Sequence, residues 1–137
     1  MSGRQPLILY IDNELGGSGQ QELLQRHGYQ VIAVTGDREG YSVLRKNPVD
    51  AIFLDIEAPV MGPVATVRCL KDIKPYVPIL LVSHSASIPL DKFAAADAVV
   101  LKNDAPSQML GVLDHLLNVR FPFFTRWFGN WKHRESA

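Results

Sequence analysis

At 137 residues the chain has room for one domain, large enough to bury roughly two thirds of the surface that its unfolded form exposes. Fourteen Lys and Arg balance fourteen Asp and Glu, so the whole-chain field selects neither nucleic acid nor an acidic membrane. The single cysteine, Cys69, excludes an intrachain disulfide and lacks metal-ligand spacing. The short polar start has no signal-peptide core, no apolar run is long enough to span a bilayer, and a soluble, cytoplasmic protein in a reducing compartment is expected.

Leu7 to Ile11 reads as a short buried strand, followed at once by Asp12-Asn13-Glu14. Gly16, Gly17 and Gly19 then precede a short helix, Gln20 to His27, with Gly28 as its C′ residue. These glycines do not form a phosphate loop, because no G-x-x-x-x-G-K-[ST] is present and Gly17-x-Gly19 lacks a third glycine, so they read as a flexible helix entry. Tyr29 to Val34 is a second strand. Asp37 is expected to cap a helix that runs to Lys46, with Tyr41 and Leu44 on one face, before Asn47-Pro48 breaks it.

Ala51-Ile52-Phe53-Leu54-Asp55 is the central stretch: four apolar residues without alternation, ending on a carboxylate, as a strand buried on both faces of a parallel sheet would. Residues 56–63 hold two prolines and a glycine and must be a loop, after which Val64, Val67, Leu70 and Ile73 mark a helical stripe. Ile79 to Val82 is the fourth strand, with Ser83-His84-Ser85 as its exit. A short alanine-rich helix is predicted from Pro89 to about Ala96, then a strand at Ala98 to Leu101 that exits on Lys102-Asn103-Asp104. Asp104 is expected to cap a last helix with Met109, Leu110, Leu113, Leu116 and Leu117 on its buried face. Five strands alternating with five helices imply right-handed crossovers over both faces of a parallel sheet: a doubly wound, flavodoxin-like α/β domain.

Open parallel sheets bind ligands beyond the carboxyl ends of their strands, and here those ends deliver Asp12, Asp55, Ser83 and Lys102 to one edge. Two adjacent aspartates stay ionised together only with a cation among them, for which Lys102 and a bound divalent metal are both candidates. The oxygen donors suit Mg2+ better than zinc. A carboxylate flanked by such a metal, an ammonium and a hydroxyl is equipped to accept a phosphoryl group.

The blocks Ile8-Leu9-Tyr10-Ile11-Asp12-Asn13-Glu14, Phe53 to Gly62, Ile79 to Ser83 and Val99-Val100-Leu101-Lys102 resemble the signature blocks of the response-regulator receiver domain of two-component signalling, over residues 6–118. The resemblance implies Asp55 as phosphoacceptor, served by a histidine kinase or phosphotransfer protein. Asp12 and Asn13 would take the acidic-pair positions that hold Mg2+ together with Asp55, Glu57 would offer its backbone carbonyl to the metal, Ser83 would be the switch hydroxyl, and Lys102 would pair with the phosphoryl group. Such a domain is not an enzyme beyond self-catalysed phosphotransfer and autodephosphorylation.

Several residues depart from the family pattern. Asn13 replaces a second aspartate, which predicts weaker metal binding. His84 stands where a small residue is usual, and either shields the phosphoryl path or faces solvent. Val99 replaces the aromatic residue that couples phosphorylation to the output face, and Asn103 replaces a proline, so no cis peptide bond is expected there. Gly62 replaces a common aspartate.

Residues 119–137 form an aromatic, basic extension in which Phe124, Trp127, Phe128 and Trp131 fall on one helical face. Three uses compete: packing back on the domain or on a second copy in a homodimer, lying in a membrane interface, or binding single-stranded nucleic acid. No DNA-binding domain is expected in so short a segment, so output should run through a downstream protein partner. The function expected is a stand-alone phosphorylated receiver. Its rivals are a phosphorylation-independent pseudo-receiver used as an interaction module, and an enzyme using His84.

Overall fold

The computed structural model describes residues 5–14, 19–59, 61–85 and 89–120. The glycine-rich entry at residues 15–18 and the aromatic stripe of the extension lie outside these residues. Five parallel strands form one sheet: β1 (Leu7–Ile11), β2 (Gln30–Val34), β3 (Ala51–Asp55), β4 (Ile79–Ser83) and β5 (Ala98–Leu101), in the order β2-β1-β3-β4-β5. Among the described residues α1 (Gln20–Arg26), α2 (Asp37–Lys46) and α3 (Pro63–Ile73) connect successive strands, and α4 (Pro106–Arg120) follows β5. The reversal of strand order between β1 and β3 is the switch point of a flavodoxin-like sheet, where a crevice opens at the carboxyl ends.

Successive residues of each strand serve opposite faces. Leu9, Ile11, Ile52, Leu54, Ile79 and Leu81 pack with Leu44 of α2 and Val67 and Leu70 of α3. Ile8, Tyr10, Phe53, Leu80, Val82 and Val100 pack with Leu24 of α1 and Met109, Leu113 and Leu117 of α4. That is why the three central strands are apolar without alternation: neither face meets water. Each fully buried Leu or Ile contributes roughly 1.5–3 kcal/mol of transfer free energy. Tyr10 stacks on Phe53, with ring centroids 5.4 Å apart, and its hydroxyl donates to Gln20 Oε1 on α1.

The amino-terminal sheet edge is closed by two aspartates that accept strand N–H groups with no ladder partner. Leu7 N–H donates to Asp50 Oδ2 at 2.7 Å, and Ile79 N–H donates to Asp97 Oδ2 at 2.8 Å. Lys71 Nζ reaches the same Asp97 oxygen at 2.9 Å and ties α3 to the start of β5.

Three local expectations are corrected. The helix expected from Pro89 to Ala96 is a single 3-10 turn, Leu90–Phe93. Ala94 and Ala95 are exposed and have no large side chain to bury, and among the described residues of the segment Phe93 is the large side chain that enters the core. Asp37 is the first residue of α2 rather than its cap, Gly36 standing at the N-cap, and Asp37 is buried. Asp104 does not cap α4, because its carboxylate turns back to accept the Leu101 N–H at 2.9 Å. By contrast, Gly28 does follow α1 with a left-handed φ of 91°, and every described peptide bond is trans.

Helix α2 lies so close to the sheet that a Cβ on Gly40 would stand 2.6 Å from Ile11 Cδ1 and 3.2 Å from its Cγ1, with Ile11 fully buried. Gly40→Ala gains helix propensity but forces core movement. It is expected to lower unfolding free energy by about 1–2 kcal/mol, read as a reduced urea midpoint at unchanged slope.

Candidate functional site at the carboxyl edge of the sheet

Register brings the predicted residues together. Ile11 pairs with Leu54, so the residues that follow them, Asp12 and Asp55, emerge side by side between β1 and β3. On the other flank Asp55 pairs with Val82 and Ser83 with Leu101, which sets Ser83 one step beyond Asp55 and Lys102 one step beyond Ser83. β3 and β4 each extend one residue further than sequence reading places them, through Asp55 and Ser83, because both residues still pair in the ladder. Their side chains start inside the sheet: Asp12 and Asp55 are 1% exposed and Ser83 2%.

Lys102 Nζ lies 2.6 Å from Asp55 Oδ2. The other oxygen, Asp55 Oδ1, accepts the Glu57 N–H at 2.9 Å, and Ala58 N–H returns to the Asp55 carbonyl at 3.0 Å, so the carboxylate plane is held from both sides. Asp12 Oδ1 accepts the Glu14 N–H at 3.0 Å in an Asx turn. Burial lifts the Asp12 carboxyl above its ordinary pKa. The Glu14 N–H opposes that rise, while the neighbouring Asp55 charge adds to it and Lys102 subtracts. Burial alone would lower the Lys102 ammonium, but its bond to Asp55 and the charges of Asp55, Asp12 and Glu57 outweigh this and hold it above its usual value.

Ser83 is present at the edge, but its hydroxyl is engaged elsewhere. It donates to the Ser85 carbonyl at 2.8 Å and accepts the Ser85 N–H at 3.1 Å. Asn13 and Glu57 occupy exposed positions immediately beyond Asp12 and Asp55, and His84 is exposed. Among the described residues no three His, Cys, Asp or Glu side chains form a metal-ligating group. The buried Asp12 and Asp55 carboxylates, with the exposed Asn13 and Glu57 close to them in the chain, offer oxygen donors at this edge. All are hard oxygen donors, and they fit Mg2+, which keeps several waters, better than an ion that needs a full protein cage. A pair of buried carboxylates of which one is disfavoured in its charged form also suits a cation beside them. Lys102 further walls a cleft of about 250 Å3 between α1 and the start of α4.

No family model matches the chain. The transcriptional regulatory proteins ZraR of Klebsiella oxytoca and of Escherichia coli strain K12 are 27% and 26% identical over 89 and 82 residues, or 64% and 59% of this chain. The chain spans about a fifth of the length of these curated relatives, with 20% and 19% covered. Among solved structures, a CheY-like response regulator receiver domain protein from Methanospirillum hungatei superposes with a TM-score of 0.76 at 20% identity, covering 85% of this chain and 97% of that one. Chemotaxis protein CheY4 of Vibrio cholerae gives 0.73 at 24% identity, covering 82% and 99%. The fold is that of a response-regulator receiver domain.

In this receiver fold the sequence reading located the edge but missed residues that shape it. Glu57 was assigned through its carbonyl alone, yet its carboxylate also acts on Lys102. Asp37, expected as a cap, and Tyr41, expected on one helix face with Leu44, reach the loop after Asp55. Their i, i+4 spacing on α2 was the available signal. Among the described residues no helix is long and apolar enough to cross a membrane.

The raised Asp12 carboxyl sets a pH dependence. A carboxyl whose folded pKa exceeds its unfolded value, 3.8 in the reference peptide, favours the folded state below that value, and the benefit is lost as pH rises through the folded pKa. Ionised Asp12 thus costs stability near neutral pH. Asp12→Asn is expected to raise the melting temperature of the metal-free protein at pH 7, with the difference shrinking as the pH approaches the unfolded value; differential scanning calorimetry across that range reads it.

Proposed function

We propose that residues 6–118 act as a phosphoryl-accepting receiver of two-component signalling, with residues 119–137 as an appended segment. The observation that carries this reading is the Lys102–Asp55 ion pair beside Asp12 at the carboxyl edge of the sheet. In it, Asp55 takes a phosphoryl group from a histidine kinase or phosphotransfer protein. A carboxylate oxygen of Asp55 attacks phosphorus, the bond from phosphorus to the donor atom breaks, and the donor keeps that electron pair. The Glu57 N–H and Lys102 ammonium hold the carboxylate in place before attack, and Lys102 can then follow the new charge. Mg2+, held by Asp12, Asn13, Asp55 and the Glu57 carbonyl, would neutralise charge on the transferring oxygens.

Phosphorylation replaces the single charge of the Asp55 carboxylate with an acyl phosphate of about −1.5 to −2 at a buried edge. A second donor at this edge, beside Lys102, is the Ser83 hydroxyl, and turning toward the phosphoryl group would break both of its bonds to Ser85. The loop after β4 would then move, changing a surface that a downstream protein reads. One observation favours a second reading, the phosphate-independent module: an amide, Asn13, rather than a carboxylate follows Asp12.

Intact-mass spectrometry after incubation with Mg2+ and acetyl phosphate tests the proposal. One phosphoryl adduct is expected on the wild-type chain and none on Asp55→Asn or without metal. Lys102→Met is expected to slow formation of the adduct by about a hundredfold. No adduct, together with no Mg2+ binding by calorimetry, would leave the phosphate-independent module.

A further inference from the structure

The loop from Asp55 to Gly62 is held at both ends, and only the first hold belongs to the site described above. At its start the Glu57 and Ala58 N–H groups bond to Asp55 itself. At its far end the attachment is to α2. The Met61 main-chain N–H donates to Asp37 Oδ2 at 3.4 Å, and the Tyr41 hydroxyl donates to Met61 Sδ at 3.3 Å. Asp37 and Tyr41 are one turn apart on the same face of α2, so one helix face grips both the backbone and the side chain of a single loop residue. Without that grip there is little reason for Met61 to be ordered, since its side chain is large, unbranched and 53% exposed.

What gives the grip leverage is the seating of α2. Gly40, between the two gripping residues, sits against Ile11 with no room for a Cβ, and Ile11 is the residue immediately before Asp12. The helix that holds the end of the Asp55 loop is thereby wedged on the strand that delivers Asp12. Burial pushes the Tyr41 phenol up to about 12, so it remains a donor throughout the physiological range.

Resting on the receiver reading above, the geometry points to Asp37 and Tyr41 as positioning residues that act through Met61 to fix the Asp55–Gly62 loop, and with it the Glu57 carbonyl, relative to Asp12. They touch neither phosphoryl group nor metal. Their effect is to spare a bound cation the cost of ordering the loop, so their loss weakens cation binding without altering Asp55 itself.

Four variants of the full chain test this. Tyr41→Phe removes the hydroxyl, Met61→Leu removes the sulfur acceptor while keeping shape, Asp37→Ala removes the carboxylate, and Asp37→Asn keeps an acceptor oxygen without the charge. Amide hydrogen exchange in the metal-free protein is expected to quicken by about two- to tenfold at Glu57, Ala58 and Met61 in the first three, with the strands unchanged. Mg2+ dissociation constants from calorimetry are expected to rise by a similar factor, about two- to tenfold. Asp37→Asn should restore most of both. The Tyr41→Phe/Met61→Leu double variant should be no worse than Tyr41→Phe alone, because both changes remove the same contact, and Tyr41→Phe also loses the hydroxyl's interactions with Thr66 and Cys69.

Unchanged loop exchange in Tyr41→Phe and Met61→Leu would overturn the proposal, and these two variants keep the test open if Asp37→Ala does not fold. Quickened exchange with unchanged Mg2+ affinity would overturn the positioning role. If Asp37→Asn behaved like Asp37→Ala, charge rather than the clasp would be responsible, and the proposal would fall. A wild-type chain that binds Mg2+ but takes no phosphoryl group would fail the receiver reading alone, since neither exchange nor calorimetry depends on phosphotransfer.

Discussion

Two carboxylates, Asp12 and Asp55, are buried side by side where a parallel sheet ends, and one ammonium, Lys102, lies 2.6 Å from the second of them. Taking like charges out of water is unfavourable on both counts, desolvation and repulsion, and a fold that does so must hold them against their tendency to protonate or separate. Much of the rest of the structure can be understood as the means of holding them. Removing Lys102 would leave the Asp55 carboxylate buried without its opposite charge, which is destabilising.

The framework that bears this strain is the doubly covered sheet. β1, β3 and β4 lie at its centre with helices on both faces, so their backbones cannot shift without disturbing two cores at once. Asp50 and Asp97 secure the opposite edge by accepting strand N–H groups, and Tyr10 stacked on Phe53 stiffens the face under α1 and α4. The functional edge is placed on strand ends, and the loops after β3 and after β4 are tied to it by hydrogen bonds of Glu57 with Asp55 and of Ser85 with Ser83.

The segment between β4 and β5 departs most from its sequence reading. It holds one 3-10 turn where a helix was expected, and Phe93 is its only large buried side chain among the described residues. Alanines have high helix propensity, but a short helix in water is stabilised mainly by the apolar face it buries, and Ala94 and Ala95 bury almost none. With Val99 in place of an aromatic residue on β5, this side of the molecule carries less packed bulk than its sequence pattern alone suggested.

Sequence alone determined the strands, their parallel arrangement and the edge at which Asp12, Asp55, Ser83 and Lys102 meet. Uninterrupted apolar runs ending on polar residues have one economical reading, and that reading follows from backbone periodicity and the burial of both faces. Tertiary structure alone decided which groups those residues engage. Lys102 pairs with Asp55 and Ser83 turns to Ser85, because side-chain direction depends on register and loop path rather than on position in the chain. Asp37 and Asp104 show the same limit. Each stands near a helix start, and each accepts a backbone N–H elsewhere: the distant Met61 for Asp37, which only the folded chain brings within reach, and the nearby Leu101 for Asp104, across the turn that leaves β5.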